Sequence, residues 1–317
     1  MMRRKVAVIG AGFVGTMTAQ RMAERNLADV VLVDIVEGLP QGRALDMAQS
    51  AALEGLDGAV VGTNDFSAVA GAEIVVFTAG FPRSPGMSRE ELASKNGSIV
   101  RTVVEKIVKA APGAMIIMVT NPLDVMTHLA WRVSGLPPER VFGMGGVLDS
   151  ARYRYFLSEA TGVSVRDIEA LVLGSHGDTM VPVDRYTTVK GVPILHFLEK
   201  ETLDRIIERT KNGGAEIVKL LKTGSAWHAP SSAVTVMVEA VLRDSGRLFP
   251  VSAYVNGEYG IREVHIGVPV RLGAGGVEKV YEIPLEEAER AALRRSAEVV
   301  RETFASLRER PVTVLGE

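Results

Sequence analysis

The sequence predicts an α/β protein in which a doubly wound parallel sheet is followed by a mixed α+β unit. Short apolar runs alternate with stretches of helical length through the first half of the chain. A glycine-rich turn joins the first apolar run to the first helical stretch, and the alternation stops at a second glycine-rich segment, GMGGVLDS. Since 317 residues suit two modest domains, we expect one domain over residues 1–145 and a second over residues 146–317.

The apolar runs of the first half are short and rich in Val and Ile, which is typical of buried parallel strands. They cover residues 5–10, 30–34, 72–80, 114–120 and 140–145. The helical stretches between them cover residues 13–26, 41–54, 88–110 and 123–134. Because crossovers between parallel strands are right-handed, the helices would lie on both faces of a Rossmann-type sheet.

The second half is predicted to mix helices and strands without a fixed alternation. Its helices are expected at about 148–161, 199–222 and 228–243, and its strands near 168–174, 180–190, 248–255, 264–272 and 277–283. A last helix follows Pro284, because apolar residues recur every three or four positions from Leu293 to Leu307. Pro311 would end this helix.

Charge and cysteine content argue against several classes of function. A net charge of −2 provides no basic face, so we expect neither nucleic acid nor a membrane as a partner. The absence of cysteine excludes disulfides and thiolate metal sites, and no cluster of histidines and carboxylates has metal-ligand spacing. The apolar run after Arg3 and Arg4 ends at Gly10, so the run is too short for the core of a signal peptide. We therefore expect a cytoplasmic protein without a bound metal.

The turn after the first strand has the G-x-G-x-x-G spacing of dinucleotide-binding proteins. It consists of Gly10, Ala11, Gly12, Phe13, Val14 and Gly15. The first glycine would allow the tight turn, the second the approach of a pyrophosphate, and the third close packing of helix on strand. Asp34 ends the second strand, where a carboxylate binds the ribose hydroxyls of NAD and repels the 2′-phosphate of NADP. The pattern predicts NAD as the cofactor, with a flavin protein as the alternative.

His176 is the candidate proton acceptor, because it lies between two glycines at the end of an apolar strand in LVLGSHGDTMVP. Imidazole suits the general base of a hydride-transfer enzyme when a carboxylate holds its other nitrogen. Asp178, two residues along, and Asp149, on the first helix of the second half, could both be that carboxylate. Asp149 and Arg152 share one helix face, so Arg152 could present its guanidinium to a substrate carboxylate. The other histidines are interpreted as structural or surface residues: His128, His196, His228 and His265.

Two arginines, Arg83 and Arg89, lie in the turn-rich loop GFPRSPGMSREEL after the third apolar run. This loop, the glycine turn, VTNPLDVMT, GMGGVLDSARYRYFLSEATG and GSHGDTMVP occur in the order seen in the lactate/malate dehydrogenase family. The chain resembles that family over both halves, and is most similar to its bacterial, lactate-dehydrogenase-like malate-specific branch. The resemblance implies that His176 is the proton acceptor, that Asp149 orients it, and that Arg152 holds the carboxylate beside the reacting carbon.

The resemblance also assigns the loop and the remaining contacts. In the family the loop closes over bound substrate, and the residue matching Arg89 polarises the reacting carbonyl. The position of Arg83 is glutamine in the lactate enzymes and arginine in the malate enzymes, which implies a substrate with a second carboxylate. Asn121 would contact substrate, and cofactor contacts are implied for Asn96, Val119, Thr120 and Asn121.

The implied reaction is (S)-malate + NAD⁺ ⇌ oxaloacetate + NADH + H⁺, carried out by a homodimer or a homotetramer, as in the family. The nearest alternative is a dehydrogenase of another 2-hydroxy acid such as lactate, against which Arg83 argues. From another class, a non-catalytic NAD-binding regulator would have lost its base or its carboxylate clamp. His176, Asp149 and Arg152 are all present.

Overall fold

Strands and helices alternate through the first half of the chain in the computed structural model, which describes residues 3–82 and 87–309. In chain order the elements are β1 (Lys5–Ile9), α1 (Phe13–Glu24), β2 (Asp29–Val33), α2 (Leu39–Glu54), β3 (Val60–Thr63), β4 (Ile74–Phe77), α3 (Arg89–Ala110), β5 (Met115–Met118), α4 (Leu123–Ser134) and β6 (Val141–Gly143). All six strands pair in parallel. The predicted α/β class with a doubly wound parallel sheet is confirmed.

The centre of this sheet is the core of the first half. Every residue of β4 and β5 is buried, and only the first residue of β1 is partly exposed. Strands covered by helices on both faces need apolar side chains on both faces. This explains why β1, β4 and β5 have almost continuous apolar sequences.

Sequence reasoning missed β3, the edge strand of the sheet. Its sequence, VVGT, is short, and its residues are partly or largely exposed. Gly62 stands where a Cβ would lie 1.9 Å from the carbonyl oxygen of Pro40, so α2 can pack against the strand only at a glycine. A short edge strand interrupted by glycine has no apolar run to reveal it.

The second half begins with a long helix and continues as short strands, two further helices and an antiparallel meander. Its elements are α5 (Gly146–Thr161), β7 (Ile168–Glu169), β8 (Val172–Leu173), β9 (Val181–Pro182), β10 (Thr188–Val189), β11 (Val192–Pro193), α6 (Lys200–Leu221), α7 (His228–Leu242), β12 (Arg247–Val255), β13 (Val264–Gly273), β14 (Gly276–Val280) and α8 (Glu287–Glu309). The expected end of the last helix at Pro311 lies outside the described residues.

The meander extends the sheet of the first half instead of forming a separate one. The strand order is β14-β13-β12-β6-β5-β4-β1-β2-β3, and β12 joins β6 through the antiparallel pair Ser252 and Gly143. The junction of the two halves is therefore a continuous sheet. Side chains from both halves meet beside it.

The expected single strand over 180–190 is wrong. The structure has β9, a 3-10 turn at Asp184–Tyr186 and then β10. Pro182 has no backbone N–H with which to continue a ladder, and the chain turns after it. None of the helices in the described part of the chain combines the length and the apolar character needed to cross a membrane.

Candidate active site

The glycine turn between β1 and α1 has the geometry that a dinucleotide phosphate requires. Gly10 has a φ of +102°, which disfavours any side chain, and a Cβ on Gly15 would lie 1.9 Å from the Gly10 carbonyl oxygen. Gly12 caps the start of α1 and is exposed, and a Cβ built on it would meet no atom within 4 Å. The turn is closed on its inner side and open where the helix N-terminus faces solvent, so it fits a phosphate.

Asp34 lies directly beside this turn. Its Oδ2 accepts a hydrogen bond from the Ala11 N–H at 2.6 Å, and its Oδ1 accepts one from the Val36 N–H at 2.9 Å. The carboxylate is thus fixed between the glycine turn and the end of β2. The exposed Phe13 ring stacks on Trp227, just before α7, at a centroid distance of 4.9 Å. The second half of the chain therefore contacts the glycine turn.

The ends of β4 and β5 are fastened together by Asn96 and Thr120. The fully buried Asn96 accepts from the Phe81 N–H at 2.8 Å and donates to the Asn121 carbonyl at 2.7 Å. Thr120 Oγ1 donates to the Ala79 carbonyl at 2.7 Å. Asn96 therefore positions the start of the predicted loop and the exposed Asn121, and its cofactor contact stays a prediction.

His176 and Asp149 form a nearly buried pair. His176 lies in the turn of the β8–β9 hairpin, and Asp149 lies in the first turn of α5. The distance from His176 Nδ1 to Asp149 Oδ2 is 2.9 Å. The structure therefore places Asp149 rather than Asp178 against Nδ1, so Nε2 is the ring nitrogen left for the predicted role of proton acceptor.

Two opposing effects act on the pKa of His176. Burial favours the neutral ring and lowers the pKa, but the charge of Asp149 and its hydrogen bond raise the pKa and outweigh burial. The charge of Arg152 also lowers the pKa, and the charge of Asp124 raises it. The net pKa lies above the ordinary value, so the imidazolium is stabilised in this site.

Arg152 projects from the same helix face as Asp149. Its Nη1 lies 3.4 Å from Asp149 Oδ1, and only 13% of its side chain is exposed. The guanidinium packs against the middle of α6, where a Cβ on Gly213 would lie 3.3 Å from Arg152 Cδ. Its Nε is buried and has no hydrogen-bond partner among the described residues. A buried donor of this kind suits a carboxylate brought by a ligand.

The two loop arginines are described only in part. Arg83 lies outside the described residues, and Arg89 is the first residue of α3, with a side chain that is likewise not described. Ser88 caps α3: its Oγ accepts from the Glu91 N–H, and the Glu91 carboxylate accepts from the Ser88 N–H. This capping box sets where the predicted loop ends and the helix begins.

Sequence reasoning missed Asp124, which lies next to the predicted base. Asp124 is in the first turn of α4, is 2% exposed, and accepts a hydrogen bond from the His176 backbone N–H at 2.8 Å. The signal was present, since Asp124 belongs to the segment VTNPLDVMT that contains Asn121. A carboxylate in the first turn of a largely apolar helix has no local reason to be buried, so its burial indicates a contact with a distant segment.

Both halves of the chain are similar to domains of one known family. Residues 4–143 match the lactate/malate dehydrogenase NAD binding domain, and residues 146–309 match the lactate/malate dehydrogenase alpha/beta C-terminal domain. A malate dehydrogenase of Roseiflexus sp. is 54% identical over 307 residues, which cover 97% of this chain and 99% of the relative.

Solved structures of malate dehydrogenases and of lactate dehydrogenases superpose on the chain. Malate dehydrogenase from Salinibacter ruber has a TM-score of 0.92 at 48% identity and covers 96% of this chain and 98% of its own. Lactate dehydrogenase from Cryptosporidium parvum, complexed with lactic acid and NAD, has a TM-score of 0.95 at 40% identity, with 98% and 100% covered.

Proposed function

The chain belongs to the lactate/malate dehydrogenase family, and from this membership we propose that it catalyses the reversible oxidation of (S)-malate to oxaloacetate with NAD⁺. The observation that carries the proposal is the arrangement of His176, Asp149 and Arg152. Within one nearly buried cluster it provides a base, the carboxylate that orients the base, and a cation for the substrate. Curated relatives more than half identical to this chain are malate dehydrogenases.

His176 handles the proton. With Nδ1–H donating to Asp149, Nε2 accepts the C2 hydroxyl proton of malate in oxidation and returns it to the carbonyl oxygen in reduction. Asp149 stabilises the imidazolium formed in the first case and required in the second, consistent with the raised pKa of His176. Because the ring is almost enclosed, this charge interaction is weakly screened.

Three arginines and an asparagine hold the substrate in this proposal. Arg152 binds the C1 carboxylate, for which its unpartnered Nε is a ready donor. Arg83 binds the C4 carboxylate and Arg89 the reacting oxygen, and both assignments rest on the family pattern of the loop. Asn121, exposed at the end of β5, contacts the substrate from the first half.

The residues of the first half hold the cofactor. The turn of Gly10, Ala11, Gly12, Phe13, Val14 and Gly15 would bind the pyrophosphate of NAD, and Asp34 the adenosine ribose. Asn96, Val119, Thr120 and Asn121 would line the nicotinamide side. When bound, NAD⁺ supplies the hydride acceptor for C2 of malate.

We further propose that residues 1–145 form the dinucleotide-binding domain and residues 146–317 the substrate domain, supported by the ranges that the two family profiles match. We propose a homodimer or homotetramer on the family resemblance; the exposed leucines on α2 and α6, namely Leu45, Leu53 and Leu220, only leave apolar surface at which subunits can meet. We also propose a cytoplasmic location, because a chain without cysteine forms none of the disulfides typical of secreted proteins. We assign the enzyme to the tricarboxylic acid cycle from the proposed malate–oxaloacetate reaction alone.

The test is oxidation of NADH, followed at 340 nm, with oxaloacetate and with pyruvate as substrates. We expect kcat/KM to be far higher for oxaloacetate, and H176N to lower kcat by about two orders of magnitude while it still binds NADH. A higher kcat/KM for pyruvate would make the chain a lactate-type enzyme. NADH binding without turnover of either substrate would support a regulator.

A further inference from the structure

We propose that Asp124 is a positioning residue that holds the base His176 against the segment carrying Asn121. This inference rests on the proposed reaction. Asp124 Oδ2 accepts from the His176 backbone N–H at 2.8 Å, across 52 residues of sequence. Asp149 orients the ring of His176, whereas Asp124 fixes its main chain.

The hydrogen bond joins the two halves of the chain at the reacting centre. Asp124 lies in the first turn of α4, three residues after Asn121, and His176 lies in the β8–β9 hairpin of the second half. Asn121 and the residues before it lie on the predicted nicotinamide side. The bond therefore sets how far the base stands from the substrate contacts of the first half.

Asp124 is enclosed by protein, so water cannot replace the hydrogen bond from the His176 N–H if that bond is lost. The side chain is 2% exposed and the neighbouring Ser252 is completely buried. Asp124 Oδ1 and Ser252 Oγ are both buried and form no hydrogen bond of regular geometry among the described residues, although the nearby Ser252 hydroxyl still lowers the pKa of the carboxyl group. A carboxylate so placed costs free energy to bury. Among the described residues, the bond from the His176 N–H is the hydrogen bond of regular geometry that offsets part of this cost.

The positioning role of Asp124 requires a hydrogen-bond acceptor and not a negative charge. Burial raises the pKa of Asp124, against lowering by Ser252, the His176 N–H, the His176 charge and Ser175. A neutral carboxyl group still offers an oxygen to the His176 N–H. An amide offers the same acceptor in nearly the same place, so D124N should keep the positioning function and D124A should lose it.

The test compares D124N, D124A and a matched control, T127A. Thr127 lies on the same helix, is completely buried, and donates to the Leu123 carbonyl at 2.8 Å, but it is not part of the site. All four proteins, including the wild type, are assayed for kcat with oxaloacetate, for the dissociation constant of NADH by fluorescence, and for thermal stability. The primary deuterium isotope effect is measured with NADH labelled at the transferred position.

We expect D124A to lower kcat about 30- to 100-fold, the range that a displacement of about 1 Å produces. Its isotope effect should rise, because the chemical step becomes slower than product release, and its NADH affinity should stay within about twofold. D124N should keep kcat within about threefold of the wild type. T127A should lose stability but keep both kcat and the isotope effect.

Three results would overturn the inference. Equal kcat losses in D124A and T127A would mean that Asp124 only supports the fold. A D124N enzyme as slow as D124A would mean that the charge matters, not the hydrogen bond. An active wild type with an unimpaired D124A would remove the role outright. A wild type that turns over no 2-oxo acid would instead refute the proposed reaction.

Discussion

Replacing Asp149 by Asn tests the electrostatic core of the site. The substitution keeps the size of the side chain but removes the charge that lies 2.9 Å from His176 Nδ1. A hydrogen bond to a charged group contributes about 1.5–3 kcal/mol. At about 1.36 kcal/mol for each tenfold change in rate, D149N should lower kcat about 10- to 150-fold.

The same substitution should move the pH profile in a defined direction. In the proposed mechanism, reduction of oxaloacetate requires protonated His176, so its rate should fall as pH rises through the pKa of His176. In the wild type, Asp149 outweighs burial and raises that pKa. Without Asp149 the lowering effects of burial and Arg152 dominate, so the fall in rate moves to lower pH. The loss in D149N should be greater at pH 8 than at pH 6.

The assay is kcat/KM for oxaloacetate between pH 5.5 and 9 in wild type, D149N and D178N, with NADH saturating. D178N is the control, since Asp178 is two residues from His176 but Nδ1 bonds Asp149. D178N should retain the wild-type profile. If D178N produces the shift and D149N does not, or if the fall moves to higher pH in D149N, the reasoning about the pair is wrong.

Three further predictions concern the cofactor, the loop and the stability of the fold. D34S should raise KM for NADH and weaken discrimination against NADPH, measured as the ratio of the two kcat/KM values, because no carboxylate then faces the 2′-phosphate. R89Q should lower kcat for every 2-oxo acid, whereas R83Q should lower kcat/KM at least a hundredfold for oxaloacetate and little for pyruvate; equal losses would contradict the assignment of Arg83. His265 is buried beside His128, and burial first, then that neighbour, lower its pKa to about 3. As pH falls from about 6.5 to about 3, His265 becomes protonated in the unfolded chain but stays neutral in the folded one. The free energy of unfolding should therefore decrease over this range. In H265N this fall, followed by urea unfolding, should be smaller.

The cluster of Asp149, Arg152 and His176 could be predicted because its parts are local motifs. The three-residue spacing of Asp149 and Arg152 places both on one helix face, and the glycines around His176 predict a turn. The structure brings these three residues together. The choice between Asp149 and Asp178 could not be made from spacing, since it depends on how α5 packs against the β8–β9 hairpin.

Most contacts between distant segments could not be predicted from the sequence. Periodicity reports which face of an element is buried, but not its partner. Asp124 and His176 are an example, as is β12, which extends the first sheet through Ser252. Gly213 is an exception. A glycine inside a long helix lowers helix stability by about 1 kcal/mol relative to alanine, so its presence there indicates that another group packs closely against the helix. The approaching group is Arg152.

In the absence of substrate, the buried charge of Arg152 raises the free energy of the site. This favours ligands that can compensate the charge. Burial lowers the pKa of Arg152, against the opposing charge of Asp149, so its cation is destabilised where it lies. Asp149 is shared, because its other oxygen serves His176. A substrate carboxylate at Arg152 would supply the missing charge and satisfy the unpartnered Nε. A neutral group in that place would leave the guanidinium buried and underpaired, which costs several kcal/mol. With Arg152 in the role proposed for it, its burial alone would favour a 2-hydroxy acid over a simple alcohol, before any contact from the loop is counted.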